Sequence, residues 1–436
     1  MYEELKLTQL IKGLQQVMEQ FPEHRTGKNR QYELSDAGMG AFSVFFTQFP
    51  SFLARQQELK LLKGRSNVEK LFELRNIPSD NQIRNLLDPV DPTHLGLFYR
   101  QTFQALEQAG VMESFRSYSD QLLIAMDGTE YFSSKKIHCE NCNHRILQNG
   151  EPHYFHSVLT PVVVQPGNEH VISLEPEYIV PQDGHEKQDC ETQAAKRWLE
   201  KNGDYYAKRG VTFLGDDLYS RQPLCQALKD KHLHFILVCK PDSHANLYET
   251  VDFLAAQGVL ATKVVRNWNG RYAEIHTYRY ANKLPLCGDQ SALEVNWCEI
   301  AVTREDTGDL IYKNAYATDF EVTKITVEAI VRDGRARWKV ENENNNVLKT
   351  KGYHIEHNFG HGDQHLASIL LSLNLLAFLL HTILDLVNEQ YRAIRLALGR
   401  RRKFFQDLEA LLFYFFFDTW DDVFLFMFKG LELDTG

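Results

Sequence analysis

Apolar and polar positions change period several times along this chain of 436 residues. Up to about residue 115 the apolar residues recur at helical spacing throughout. Within that region Asn67-Val68-Glu69-Lys70-Leu71-Phe72-Glu73-Leu74 predicts one helix, and Arg75-Asn76-Ile77-Pro78 breaks it. Ser79 or Asp80 then caps a second helix over Asn81–Leu87. From Gln121 the pattern shortens. Leu122-Leu123-Ile124-Ala125-Met126-Asp127 is an unbroken apolar run closed by an acid, as in a strand buried on both faces. Strands are predicted over Tyr154–Val164 and His170–Leu174, and a helix over Glu191–Lys201. Val211-Thr212-Phe213-Leu214-Gly215-Asp216 is a second buried strand that ends in an acid. A helix at Gln222–Asp230 and a strand at His234–Lys240 complete a β-α-β unit.

Residues 245–320 read differently. Lys263–Tyr272 is a hairpin turning at Asn269-Gly270, and Trp297–Thr303 pairs with Leu310–Ala317 around Thr307-Gly308. This predicts a small β-rich insertion, with helix returning near Thr323 and continuing to the C-terminus. The expected fold class is α/β with a mixed sheet. The divisions are a helical region over 1–115, a first part of the core over 116–244, the insertion over 245–320, a second part of the core over 321–385, and a helical region over 386–436. No internal repeat is visible.

Hydrophobic content of 43% and charged content of 24% suit a folded protein. The net charge of −10 excludes a surface coated in positive charge, but not local basic patches. Seven cysteines, odd in number and mostly scattered, suit a reducing compartment without a disulfide framework. The first residues lack the apolar core of a signal peptide. Leu366–Leu386 is apolar enough to raise a membrane question. Ser368, Ser372, Asn374 and His381 interrupt it, so a buried core helix is expected and no membrane contact. These readings together place the protein in the cytoplasm.

Candidate chemistry concentrates at a few points. Arg337 to Gly352 reads as a helix carrying unusually many polar residues. Arg337 and Glu341 share one side of it, and Lys349 follows about 12 Å further along the axis. A carboxylate flanked by cations suits a phosphodiester-cleaving site, where the acid holds a metal and the cations hold the backbone. The three histidines of Tyr353–Gly362 look like the edge of such a site. Asp127 and Asp216, ending neighbouring buried strands, can converge on one sheet edge, and Glu341 can join them from a helix. Hard divalent ions prefer such oxygen ligands. Taken singly, either aspartate reads equally as a turn or cap residue.

In that order, Ala125-Met126-Asp127-Gly128-Thr129, Leu214-Gly215-Asp216-Asp217-Leu218-Tyr219 and the Arg337–Lys349 helix resemble a bacterial insertion-sequence transposase of the DDE class, in the group with a β insertion before the catalytic Glu. The resemblance spans roughly residues 120–380. It implies a ribonuclease H-like fold and two Mg²⁺ (or Mn²⁺) ions held by Asp127, Asp216 and Glu341, with Asp217 competing for the second place. It also implies cleavage of transposon ends, transfer of the 3′-hydroxyl strand to target DNA, and a location at the bacterial nucleoid. Terminal inverted repeats and target duplex would be the partners, and a homodimer the assembly. Arg337 and Lys349 would contact phosphates. Two positions depart from the group's pattern. Gly334 stands where a tyrosine is expected, and Leu348 stands where the lysine is expected, one residue before Lys349. Trp268 or Trp297 would stack on an extruded base, or simply belong to the core.

Three further features bear on binding. The second helix of the 67–87 pair would present Asn81, Gln82, Arg84 and Asn85 to DNA, as in a helix-turn-helix, although two bundle helices give the same pattern. His138-Cys139-Glu140-Asn141-Cys142, followed by His153 and His156, has the spacing of a structural zinc knuckle over 138–156. Cys139, Cys142 and His156 are the expected ligands, with the fourth from His138, His153 or His144, and His138 preferred. Arg392, Arg395, Arg400, Arg401, Arg402 and Lys403 form a basic cluster that suits phosphates or a helix C-terminus. Leu408–Phe428, dense in Phe and Leu, should pack on the core or on a second subunit. Two alternatives use the same residues: a structure-specific endonuclease of the same fold, and a transposon-derived DNA-binding protein without catalysis.

Overall fold

The apolar run that opens the core becomes strand β1 (Leu122–Ala125), all four side chains buried, in a computed structural model that describes residues 3–26, 30–49, 51–52, 54–55, 62–181 and 187–434. The remaining strands follow in chain order. They are β2 (Gly128–Ser134), β3 (Asn143–Ile146), β4 (Pro152–Leu159), β5 (Val162–Val164), β6 (Ile172–Ser173), β7 (Glu177–Ile179), β8 (Val211–Gly215) and β9 (His234–Val238). Four longer ones come last, β10 (Ala261–Trp268), β11 (Ala273–Pro285), β12 (Glu294–Arg304) and β13 (Leu310–Thr318). The fold is mixed α/β, as the sequence predicts.

Nine strands form one sheet in the order β10-β11-β12-β13-β9-β8-β1-β5-β6. β1 pairs in parallel with β8, and β8 with β9. β5 lies antiparallel on the other side of β1, and β6 antiparallel beyond it. The apolar β1 and β5, and β8 with its one threonine, are buried along their whole length, as strands at the centre of a covered sheet must be. The predicted strand Tyr154–Val164 is in fact two. Thr160-Pro161 separates β4 from β5 where the chain passes from a second sheet into the first. Proline has no N–H for a ladder, which favours a break there. The second sheet holds β2, β4 and β3, with β7 also pairing β4.

Residues 261–318 extend the central sheet. β13 pairs antiparallel with β9 through Tyr316↔Val238, Ala317↔Leu237 and Thr318↔Ile236, so the four strands add to one edge of the core. The predicted hairpin turn at Asn269-Gly270 joins β10 to β11. The polar stretch from Arg337 is not one regular helix. The helix Val327–Arg335 ends, a turn intervenes at 336–337, a π-helical turn covers Val340–Asn345, and the α-helix Asn346–Thr350 follows.

The helix Leu366–Val387 is the one helix among the described residues long and apolar enough to cross a membrane, and 94% of its most apolar window is buried within the protein. It packs on the helix Leu34–Phe46, whose thirteen residues are all buried. Both chain ends join this layer. Trp420 sits against Phe46 and Phe72, and its indole N–H donates to the Leu71 carbonyl. Of the predicted Leu408–Phe428 segment, Leu408, Leu412, Phe417, Trp420, Val423 and Phe424 turn inward, while Tyr414, Phe415, Phe416 and Phe426 stay exposed.

Asn67 clasps the two chain ends together. Its Nδ2 donates to the carbonyls of Leu412 (2.7 Å) and Phe415 (2.8 Å), and its Oδ1 accepts from the Phe417 N–H (3.0 Å). Asn67→Ala would strand these three groups, two of them buried, at a cost of about 2–4 kcal/mol. A lower urea midpoint is expected, and an unchanged midpoint would show that the C-terminal helices dock without the clasp.

Candidate metal-binding and nucleic-acid site

The parallel pairing of β1 with β8 decides where the first two acids lie. Ala125 is in register with Leu214, and the Met126 N–H donates to the Leu214 carbonyl. Asp127 and Asp216 each come two residues after that register pair, so both leave the same edge of the sheet on adjacent strands. Thr160 holds the Asp127 backbone, its N–H donating to the Asp127 carbonyl at 3.0 Å. Asp216 accepts the Leu218 N–H at 2.9 Å. Its competitor Asp217 is committed elsewhere, accepting from the Lys240 N–H and the Ser243 hydroxyl. Those bonds fasten the turn after β9 and leave Asp216 as the acid facing Asp127.

Glu341 arrives on the π-helical turn. Asn345, on the same turn, donates from Nδ2 to Asp127 Oδ2 at 3.0 Å, while its Oδ1 lies 3.0 Å from the Thr160 hydroxyl and accepts from Asn344. This one asparagine therefore ties the Glu341 turn to the end of β1. Arg337 reaches Glu341 at 2.6 Å, the i,i+4 pair that the sequence suggests. A π turn spends one more residue per turn than an α-helix. Leu348, seven residues after Glu341, is fully buried, and Lys349 follows it with its Nζ 2.9 Å from Glu356. The extra residue of the π turn gives a physical reason for a lysine displaced by one place. Gly334 departs from the expected tyrosine because there is no room for one. A Cβ there would stand 2.8 Å from the Tyr316 ring and 2.9 Å from Ile236.

The site contains a fourth acid that sequence reasoning did not single out. Glu191, on the helix Lys187–Ala207, is buried, and its carboxylate lies 2.7 Å from where a Cβ on residue 128 would be. The only sequence signal was the glycine directly after Asp127. Burial, then the charges of Glu341 and Glu191, push the Asp127 carboxyl up to about 7, with Arg337 opposing. Burial likewise raises Asp216, against the Leu218 N–H and Arg337. Buried acids whose charged forms are disfavoured in this way form a set that a divalent cation would stabilise.

A second cluster is built from Cys139, Cys142, His156 and His361, and it could hold a metal such as zinc. The Cys139 and Cys142 sulfurs are 3.9 Å apart, and His156 Nε2 lies 3.6 and 3.4 Å from them. His361 Nε2 is 3.3 Å from Cys142 and 3.2 Å from His156 Nε2. A tetrahedron with Zn–S near 2.3 Å and Zn–N near 2.0–2.1 Å has edges of roughly 3.8 Å between sulfurs and roughly 3.3 Å between nitrogens. The observed spacings match those edges. His361 Nδ1 donates to the Gly362 carbonyl at 2.7 Å, which leaves Nε2 free for a metal. Cys142 first, then the imidazoles, pull the Cys139 thiol well down towards thiolate, the form that binds metal.

The fourth member is therefore His361, and not His138, His153 or His144. His138 stacks on Tyr154 at 4.3 Å with Nδ1 turned to the Lys136 carbonyl, His153 faces Glu130, and His144 is exposed on β3. Local spacing could not reveal His361, which lies 205 residues beyond His156.

The other DNA-contact candidates divide. Ser79 caps the helix Asp80–Leu87, and Gln82 is used in the reciprocal capping box. Asn81 and Asn85 are exposed, but Arg84 donates from Nε to the Phe359 carbonyl and lies over the Phe52 ring. Arg400 and Arg402 are exposed. Arg401 is half-buried and turned inward, its guanidinium donating to the Tyr353 hydroxyl, so it is not a free phosphate contact. The cluster divides between two helices: Arg395 lies in the last turn of the helix Glu389–Leu398, as a helix C-terminus favours, whereas Arg400 to Lys403 open the helix Arg401–Tyr414. Trp297 is completely buried and belongs to the core, whereas Trp268 stands exposed at the end of β10.

No protein-family model matches the chain, and a comparison with curated proteins finds no match.

The raised Asp127 has a consequence for the metal-free protein. Its unfolded value is near 3.9 and its folded value about 7, so between these the folded state binds more protons. This group's stabilising contribution is complete below about pH 4 and is lost as pH rises through 7. In chelator, Asp127→Asn should therefore melt higher than the parent at pH 8, with the gap shrinking steadily as pH falls from 7 to about 4. A gap that does not change with pH would remove the assigned cause.

Proposed function

We propose that the protein is a DNA transposase of the DDE class with a ribonuclease H-like core, cutting transposon ends and joining them to target DNA. The observation that carries this reading is the placement of Asp127 and Asp216 two residues beyond an in-register pair on adjacent parallel strands, with Asn345 bonding the Glu341 turn to Asp127. The strand order β6-β5-β1-β8-β9, antiparallel on one side of β1 and parallel on the other, supports the core assignment.

Asp127, Asp216 and Glu341 would hold two Mg²⁺ or Mn²⁺ ions, with Glu191 adding negative charge beside them. Such a pair supplies Lewis-acid activation of the attacking oxygen and stabilises the leaving oxygen. Arg337 orients Glu341 and, with Lys349, offers positive charge to the phosphates. In the first step water attacks the phosphodiester at the transposon end, and the 3′-oxygen leaves as a free hydroxyl. In the second step that hydroxyl attacks a target phosphodiester, and a target 3′-oxygen leaves. Asn81, Arg400 and Arg402 are exposed candidates for contacts along the duplex. The Cys/His cluster takes one structural Zn²⁺, since all four protein ligands are present and none of its positions is left for substrate.

Asp127→Asn and Glu341→Gln should each lower Mg²⁺-dependent nicking of end DNA by at least roughly a thousandfold while preserving gel-shift affinity. Strand-transfer products from a pre-cut end distinguish a transposase from a nuclease of the same fold. Full nicking by either variant would remove the site assignment. Atomic absorption of the purified protein should give one zinc per chain, and no stoichiometric metal would end the zinc assignment.

A further inference from the structure

The segment that carries His361 also touches the N-terminal helical region, and the two contacts share one short loop. Asp88 closes the helix Asp80–Leu87 and accepts three backbone N–H groups from that loop with its carboxylate, those of Asp363 (3.0 Å), Gln364 (3.0 Å) and Leu366 (3.1 Å). Its own carbonyl accepts the His365 N–H at 2.9 Å. Asp88 therefore caps the start of the long buried helix Leu366–Val387, stabilising free N–H groups that otherwise lack partners. Arg84, from the same short helix, donates to the Phe359 carbonyl at 3.2 Å. On the other side of the loop, Asn141, between the two cysteines, donates to the Gln364 carbonyl at 3.0 Å.

The loop's backbone fits only while these partners stay close. Gly362 has φ +68°, and a Cβ there would meet Asp88 Oδ1 at 2.1 Å. Phe359, against Phe45 and Phe52, is the loop's main apolar anchor, and it precedes the bonded turn. The turn itself is held by the Asp88 bonds on one side and by His361 on the other, whose ring packs on Phe132 and whose Nε2 faces the Cys/His cluster.

We infer that metal in the Cys139–Cys142–His156–His361 cluster is a conformational lock that docks the helix Asp80–Leu87 onto the core. This rests on the cluster's reading as a zinc site. The metal joins the β2–β3 connection and β4 to the 357–366 loop, and the loop presents its N–H row to Asp88. Without metal, His361 keeps only its packing on Phe132, the N–H row loosens from Asp88, and the short helix is held mainly by Ile83 and Leu87, so its C-terminal end opens more often. Metal occupancy thereby controls the position of the helix that carries Asn81, Gln82 and Arg84.

Hydrogen exchange of the full chain, loaded with one equivalent of Zn²⁺ and then stripped with chelator, tests this. Stripping should speed exchange at least tenfold in peptides covering 80–88 and 361–367, while β8 and β9 stay protected. Asp88→Asn should retain one zinc per chain yet show faster exchange in the same two segments. Zinc bound at one equivalent, with exchange at 80–88 unchanged on stripping, would overturn the lock and leave the zinc site standing. A chain that binds no Zn²⁺ would overturn both.

Discussion

The pairing of β1 with β8 is the constraint on which the rest of the structure depends. Four buried apolar residues on β1, against Val211, Phe213 and Leu214 on β8, fix the register, because a slip by one residue would turn each side chain to the opposite face. Once Ala125 faces Leu214, the two aspartates that follow must leave the sheet side by side. Neither could be placed there by its own chemistry, since burial above all, with neighbouring acids, raises both carboxyls. The hydrophobic strands hold the acids in a position they would not otherwise adopt.

The third acid depends on a different kind of contact. Glu341 is held by its turn, and the turn is held by polar bonds, Asn345 to Asp127 and Thr160 to Asn345. Helix Val327–Arg335 anchors the approach to this turn. Its buried Asp333 accepts from the Ser117 hydroxyl and the Tyr118 N–H just before β1. The strand-borne acids and the helix-borne acid are thus linked through side-chain amides and hydroxyls whose every partner is also buried or half-buried. Such networks are stiff when satisfied and costly when broken. A similar logic governs the Cys/His cluster and its loop, where side-chain ligands and backbone bonds add to the aromatic packing of Phe132 and Phe359.

Much of this was legible in the sequence because it is local. The runs at 122–127 and 211–216 announced buried strands ending in acids, Asn269-Gly270 announced its hairpin, and Cys139 and Cys142 with His156 announced three of the four cluster members. The interrupted apolar segment at 366–386 was correctly read as a core helix. Other features were not legible. The Tyr154–Val164 run gave no sign that it changes sheets, beyond a single proline. The insertion's strands looked self-contained, because edge pairing between β13 and β9 depends on residues far apart in the chain.

The sequence alone determined which segments are strands, which are helices, and which side chains bring charge, thiol or imidazole to their ends. These follow from periodicity and from residue chemistry, which act over a few neighbours. Tertiary structure alone decided which of those ends meet. It set Asp216 rather than Asp217 toward Asp127, brought in Glu191, turned Arg401 inward, and replaced His138 by His361 in the Cys/His cluster. Each of these is a contact between residues distant in the chain. Such contacts are fixed by the packing of whole elements, and no short window of sequence records them.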